Sequence, residues 1–201
     1  MIMERLPLNL ESKNEIIAYR DEHHLVKYEY GIIDELLGAI DNADLEKLSW
    51  FGQFGDRIRS ITMNVYAHRK GLEFGFTEIA FDEYGWLKRP EFLDKEDIKL
   101  GTSDRYGEYS LITLGRGENH TWTYALHYSF GTAGGGSALS VYDKQFKSCE
   151  DALTFSLNKL KDMMTDKIGN TDTNNYKQPI ILATLREIAK VQINIVQLSL
   201  F

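Results

Sequence analysis

Apolar residues recur at three- and four-residue spacing over 13–20 and, more regularly, over 32–48. There Ile32, Ile33, Leu36, Leu37, Ile40, Leu45 and Leu48 form one helical stripe. Between these stretches His24-Leu25-Val26-Lys27-Tyr28-Glu29-Tyr30 alternates and is rich in strand formers, which predicts a short strand, with Gly31 marking the change of period. The stretch 58–66 fits both periods and reads equally as a strand or as part of a helix. Leu72, Phe74 and Phe76 alternate with Glu73 and Gly75, predicting a half-buried strand before a turn at Asp82-Glu83-Tyr84-Gly85. The charged run 88–99, interrupted by Pro90, reads as a connector or short helix and is the best internal boundary.

The strongest β signal follows. Runs 106–115 and 120–130 alternate aromatic and β-branched residues around Arg116-Gly117-Glu118-Asn119, the signature of a hairpin. A third antiparallel strand is expected over 137–146, after the connector Gly131-Thr132-Ala133-Gly134-Gly135-Gly136. Ser148 then reads as the N-cap of a helix whose first turn holds Glu150 and Asp151 and whose stripe is Ala152, Leu153, Leu157, Leu160 and Met164. Residues 165–177 are turn-prone, and a last helix starts near Pro179, with Ile181, Leu185 and Ile188 in register. The fold class expected is α+β: an antiparallel sheet containing a central aromatic hairpin, packed against several helices, with a C-terminal helix and tail. Residues 1–195 read as one domain, with lobes 1–100 and 101–195 as the alternative, and 196–201 as the tail.

Charge narrows the partners. The chain of 201 residues has 43% apolar and 26% charged residues and a formal charge of −7, an ordinary globular composition. Residues 1–50 hold 5 basic against 11 acidic residues, whereas 151–201 hold 6 against 5. A domain gripping duplex DNA through its phosphates needs a basic face, and the sequence pI is about 5.3. Direct duplex binding is therefore not expected; Arg57 and Arg59 with His68, Arg69 and Lys70 read as a solvated face or turn, with a local basic patch as the alternative. Cys149 is the single cysteine, so no internal disulfide forms. No apolar run reaches the roughly 18–20 residues that span a membrane, and Met1-Ile2-Met3-Glu4-Arg5 lacks a secretory layout. A cytoplasmic location is expected, where the sequon at Asn119-His120-Thr121 carries no meaning.

Candidate chemistry is sparse. Gly131 and Gly136-Ser137 have the separation of a phosphate loop, but the lysine and the following helix that such a loop needs are both missing, so the run reads as a flexible connector. His23, His24, His68, His120 and His127 lack metal-ligand spacing, and no metal or cofactor is implied. Cys149 has no histidine near it in sequence to act as base. Carboxylates at 82–83 and 94–97 read as solvated charge, and no catalytic residue is assigned. Trp122, Tyr124, Tyr128 and Phe130 share one strand face. Such a row can stack bases, but it more often packs on helices; Trp122, Tyr124 and Tyr128 are the candidate interface if that face is free.

The end of the sequence shows a change of phase. Val191, Ile193 and Ile195 occupy odd positions, then Val196, Leu198 and Leu200 occupy even ones. A one-residue slip turns an extended segment's side chains to the other face, so the role of the chain is expected to change near residue 196. The last five residues, Gln197-Leu198-Ser199-Leu200-Phe201, resemble the pentapeptide with which bacterial polymerases and repair proteins bind the DNA sliding clamp. The resemblance implies that Gln197 hydrogen-bonds at the rim of the clamp's pocket, Leu198 packs on its edge, and Leu200 and Phe201 fill it, with Ser199 outward. It covers five residues of the chain, all of which agree. The aromatic hairpin, Gly-rich connector, helix and clamp-like end together are similar to small accessory proteins of bacterial plasmids, conjugative elements and phages. The function expected is a non-enzymatic adaptor of replication, repair or mobile-element biology docked on the clamp. The alternative is a structural or regulatory interaction domain, oligomeric or not, with the tail in its own core.

Overall fold

A computed structural model describes residues 12–101, 103, 105 and 107–198, except the side chains of Val196 and Leu198. The chain divides into two compact units, Met1–Pro90 and Glu91–Phe201. Among the described residues there are six helices and one four-stranded antiparallel sheet, an α+β fold with a C-terminal helix. Among the described residues, no helix is long and apolar enough to cross a membrane.

The first unit is built from α1 (Ser12–Glu22), α2 (Lys27–Asp41), α3 (Leu45–Gly52) and α4 (Ile58–Leu72). Its core joins Ile16, Ile33, Leu36, Ile40, Leu48, Phe51, Phe54, Ile61 and Val65, all nearly without solvent contact. The strand expected over 24–30 does not form. α2 begins at Lys27, where the Glu29 carboxylate accepts the Val26 N–H at 3.0 Å, and Tyr28 stacks on Tyr66 of α4 with centroids 3.8 Å apart. A seven-residue alternation is too short to override packing of this kind. The single helix expected over 32–48 is broken at Ala43, whose φ of 48° lies in the left-handed region, and Asp44 restarts it by accepting the Lys47 N–H at 3.0 Å. The ambiguous stretch 58–66 is helical: Ile61, Val65 and His68 are all buried at i, i+4 and i+7. Phe74 and Phe76 are buried too, but in a non-repetitive loop rather than the expected strand.

Asn64 organises the end of this unit. Its amide donates to the carbonyls of Phe54 (2.8 Å) and Gly85 (2.9 Å), and its oxygen accepts the Leu87 N–H at 2.9 Å. The turn so held is closed by Asp82, whose carboxylate accepts the N–H groups of Tyr84 and Trp86.

The second unit holds β1 (Leu93–Leu100), β2 (Ser110–Arg116), β3 (Trp122–Ser129) and β4 (Gly134–Gly136), in that spatial order. α5 (Cys149–Thr165) and α6 (Gln178–Leu198) complete it. The expected hairpin is β2–β3, with Arg116 opposite Trp122. Two expectations are corrected. The charged run read as a connector or short helix contains β1, whose residues Asp94 to Asp97 and Lys99 lie exposed on the sheet edge. Charges there hid the strand from a hydrophobic pattern. The third strand is β4, formed by the glycines, and not 137–146. That segment bonds to β3 only at its ends, at Ser137 and in an isolated antiparallel bridge between Phe146 and Trp122; between them it crosses one face of the sheet, where Thr123 donates its hydroxyl to the Lys144 carbonyl at 2.9 Å and a Cβ on Gly115 would stand 2.6 Å from Leu139 and 2.9 Å from Phe92. The opposite face carries Ile112, Leu114, Tyr124, Leu126 and Phe130 against Leu157, Leu160 and Met164 of α5 and Ile181 and Ile188 of α6.

Candidate functional site

α6 determines how the clamp-like pentapeptide begins. Ile181, Ala183, Thr184 and Ile188 are buried. After Ile188 burial declines: Val191 and Ile195 are half-buried against the core cluster, while Ile193, Asn194 and Gln197 are exposed. Gln192 reaches back to α5, donating to Asn158 Oδ1 at 2.9 Å. The helix passes through the phase change at 195–196, so both apolar sets ride on one helix as far as Leu198. A strand period is the wrong ruler for a segment that turns 100° per residue. Gln197 and Leu198 form the end of its last turn, with the Gln197 side chain exposed. Ser199, Leu200 and Phe201 lie outside the described residues.

The aromatic row of β3 lies on the helix-facing side of the sheet. Tyr124 is only 8% exposed and sits between Phe146 and Phe155, with centroids at 6.0 and 5.6 Å. Its hydroxyl accepts a hydrogen bond from the Lys159 ammonium at 3.1 Å. Trp122 and Tyr128 are half-buried against the same cluster, and Tyr128 packs on Phe130 at 5.5 Å. The row is thus brought together by packing under α5 and α6, at a place distinct from Gln197.

The histidines are dispersed. His68 is buried beside Phe54 and Trp50, with ring centroids at 5.2 and 6.4 Å. Burial, helped by the Arg69 charge, pushes its pKa below the ordinary value. Arg69 is engaged elsewhere, making two 2.8 Å hydrogen bonds to Glu35 that hold the Glu35 carboxyl below its usual range. His120 follows β2 with φ 67° and contacts Arg116, which also binds Asp94 at 2.6 Å. His127 faces Tyr109 at 6.3 Å. Among the described residues no three His, Cys, Asp or Glu side chains converge as metal ligands do. The Cys149 thiol is half-buried and its pKa is raised, first by burial and then by the Glu96 charge, the opposite of nucleophile activation. Asp143 is raised by burial as well; its Oδ2 is buried without a hydrogen bond, and the Lys159 charge offsets part of the shift.

Sequence reading missed one feature, a cleft of about 430 Å³ along the glycine run, bordered by His127, Tyr128, Ser129, Ser137 and Ala138. Two of the three glycines of β4 crowd β3. A Cβ on Gly134 would lie 2.6 Å from the Tyr128 carbonyl oxygen, and one on Gly135 2.8 Å from the Tyr128 hydroxyl. Three glycines in a row were the available signal; what was missing was that they form a strand. Comparison with family models, with curated proteins and with solved structures found no match.

Proposed function

We propose that this chain is a non-enzymatic accessory protein of bacterial DNA replication, repair or mobile-element biology, recruited to the sliding clamp by Gln197-Leu198-Ser199-Leu200-Phe201. The observation that carries the reading is the full pentapeptide match, whose first residue, Gln197, lies exposed in the last turn of α6. Among the helix residues whose burial is described, Ile188 is the last fully buried one, and the Gln197 side chain stands in solvent. The last carbonyls of any helix lack intrahelical partners, so a terminal turn unwinds at low cost and can supply Gln197 and Leu198 to an extended docking peptide. Leu200 and Phe201 then serve as the anchors, since a few large apolar side chains entering a preformed pocket carry most of such binding energy. Five residues that must be ordered on binding give a Kd on the order of micromolar. Anisotropy of the labelled full chain against the cognate clamp tests this. Binding in the micromolar range that falls more than about tenfold in Leu200→Ala/Phe201→Ala is expected, and no binding by the wild type overturns the reading.

A second reading draws on Val191 and Ile195, which pack against the second unit's core. In it the end of α6 and the residues after it complete that core, and the chain is a structural or regulatory interaction domain. The same variant separates the two, because loss of two core side chains costs several kcal/mol of stability (about 2–5 for each large apolar residue), whereas loss of two docking anchors leaves the unfolding midpoint unchanged.

A further inference from the structure

α6 carries two stripes rather than one. The inner stripe, Ile181, Thr184, Ile188, Val191 and Ile195, repeats at three and four; its first three members are buried and the last two are half-buried on the core cluster. The outer stripe runs beside it, at Leu182, Arg186, Ala189, Ile193 and Gln197, and all five are exposed. Its two large aliphatic side chains, Leu182 and Ile193, are 46% and 56% exposed. Packing within the second unit accounts for the inner stripe and leaves the outer one in solvent. A lone exposed isoleucine needs no explanation of its own; what gives Ile193 weight is its position, one turn before the first residue of the pentapeptide and on the same face.

Geometry ties Ile193 to whatever holds Gln197. Four residues apart on a helix, the two are neighbours about 6 Å apart along the axis. Unwinding of the last turn changes this little, because the helix is held just before it: Ile195 packs on the core cluster and Gln192 donates to Asn158 Oδ1 at 2.9 Å. Gln197 is two residues beyond Ile195, and even a fully extended chain carries it no more than about 7 Å away. A protein that hydrogen-bonds Gln197 at the rim of its pocket is therefore brought against the turn that exposes Ile193. Leu182 lies about 16 Å further back along the helix, outside that reach. We infer that Ile193 is a further contact for the partner that takes Gln197-Leu198-Ser199-Leu200-Phe201, covered by an apolar surface beside that partner's pocket. The inference rests on the clamp reading and extends it: the docking surface begins on α6, one turn before the motif. The backbone of Ile193 is already fixed in the helix, so its contact adds affinity without the ordering cost that the docking peptide carries. Recognition then depends on the folded helix as well as on the five-residue match.

The test is anisotropy of the labelled full chain against the cognate clamp, with variants at position 193. Leucine and glutamine have nearly the same helix propensity, so Ile193→Leu and Ile193→Gln leave the winding of α6 alike and differ in apolar surface. Ile193→Leu is expected to bind within about twofold of the wild type and Ile193→Gln roughly three- to tenfold more weakly. Both keep the wild-type unfolding midpoint, as substitutions at exposed sites do. Leu182→Gln, the same kind of change on the same stripe but beyond reach of the partner, binds within about twofold of the wild type. Equal affinity of Ile193→Gln and wild type, while Leu200→Ala/Phe201→Ala still abolishes binding, overturns this inference and leaves the clamp reading standing. A loss in Leu182→Gln or Ile193→Leu as large as that in Ile193→Gln overturns it too, because the effect would then not belong to an apolar contact at Ile193. No binding by the wild type overturns the clamp reading and this inference with it.

Discussion

Asn64 does more for the first unit than its polarity announces in the sequence. It satisfies two carbonyls and one N–H from segments 10 to 23 positions away. Asn64→Leu preserves volume while stranding those three groups, and the cost is roughly 1–3 kcal/mol in a urea titration; a change under about 0.5 kcal/mol would place it among ordinary surface substitutions and contradict the role given it. His68, one turn further along α4, ties stability to pH. Its folded pKa lies below the unfolded value of 6.5, so the unfolded chain takes up the proton first. Stability is fully present above that value and falls as pH drops through 6.5 toward the folded pKa. Carboxylates titrate lower, so the slope of the urea midpoint between pH 7.5 and 5.5 should flatten in His68→Phe. Neither role was legible from the sequence, because both depend on neighbours that folding brings from elsewhere.

Most elements with strong local signals were read correctly, the exception being the stripe 32–48, which Ala43 divides between α2 and α3. Ser148 caps α5 as its position implied, accepting the Asp151 N–H at 3.0 Å. Ser148→Ala should therefore cost about 1 kcal/mol, read as a lower thermal midpoint. The hairpin and the start of α6 were equally visible, since each has a clear period and a punctuating residue, whereas the phase change at 195–196 hid the continuation of α6 to Leu198. Failures fell on segments whose structure is set by partners. β1 is charged because it is an edge, 24–30 is helical because Tyr28 stacks on Tyr66, and β4 has no side chains to give a period at all. At Gly134 and Gly135 a Cβ would crowd Tyr128. Gly135→Ala places a methyl 2.8 Å from the Tyr128 hydroxyl, where the ring must shift; a loss of about 1–3 kcal/mol is expected. The cost should be reduced in Gly135→Ala/Tyr128→Phe, whose side chain lacks that oxygen. An equal loss in single and double variants would assign the cost to the backbone instead.

At the scale of the whole chain, charge and the pentapeptide make a joint claim. The formal charge of −7 leaves little attraction for phosphates, so DNA by itself should not retain the protein. A partner that already encircles DNA removes the need for such attraction, and a contact made of Gln197, Leu198, Leu200 and Phe201 contains no ion pair to be screened. The two routes to DNA therefore differ in salt dependence. Phosphate contacts lose about 10³–10⁵ in affinity between 50 and 200 mM salt when six to ten are made, whereas apolar docking changes little over that range. Co-sedimentation with closed circular DNA should detect the chain only when the clamp has been loaded, with similar recovery at both salt concentrations. Retention on naked circles, or recovery that collapses at 200 mM salt, would mean that phosphates are being gripped directly and that the pentapeptide is not the means of recruitment. Loss of recovery in Leu200→Ala/Phe201→Ala, with the unfolding midpoint unchanged, would assign the recruitment to those two side chains.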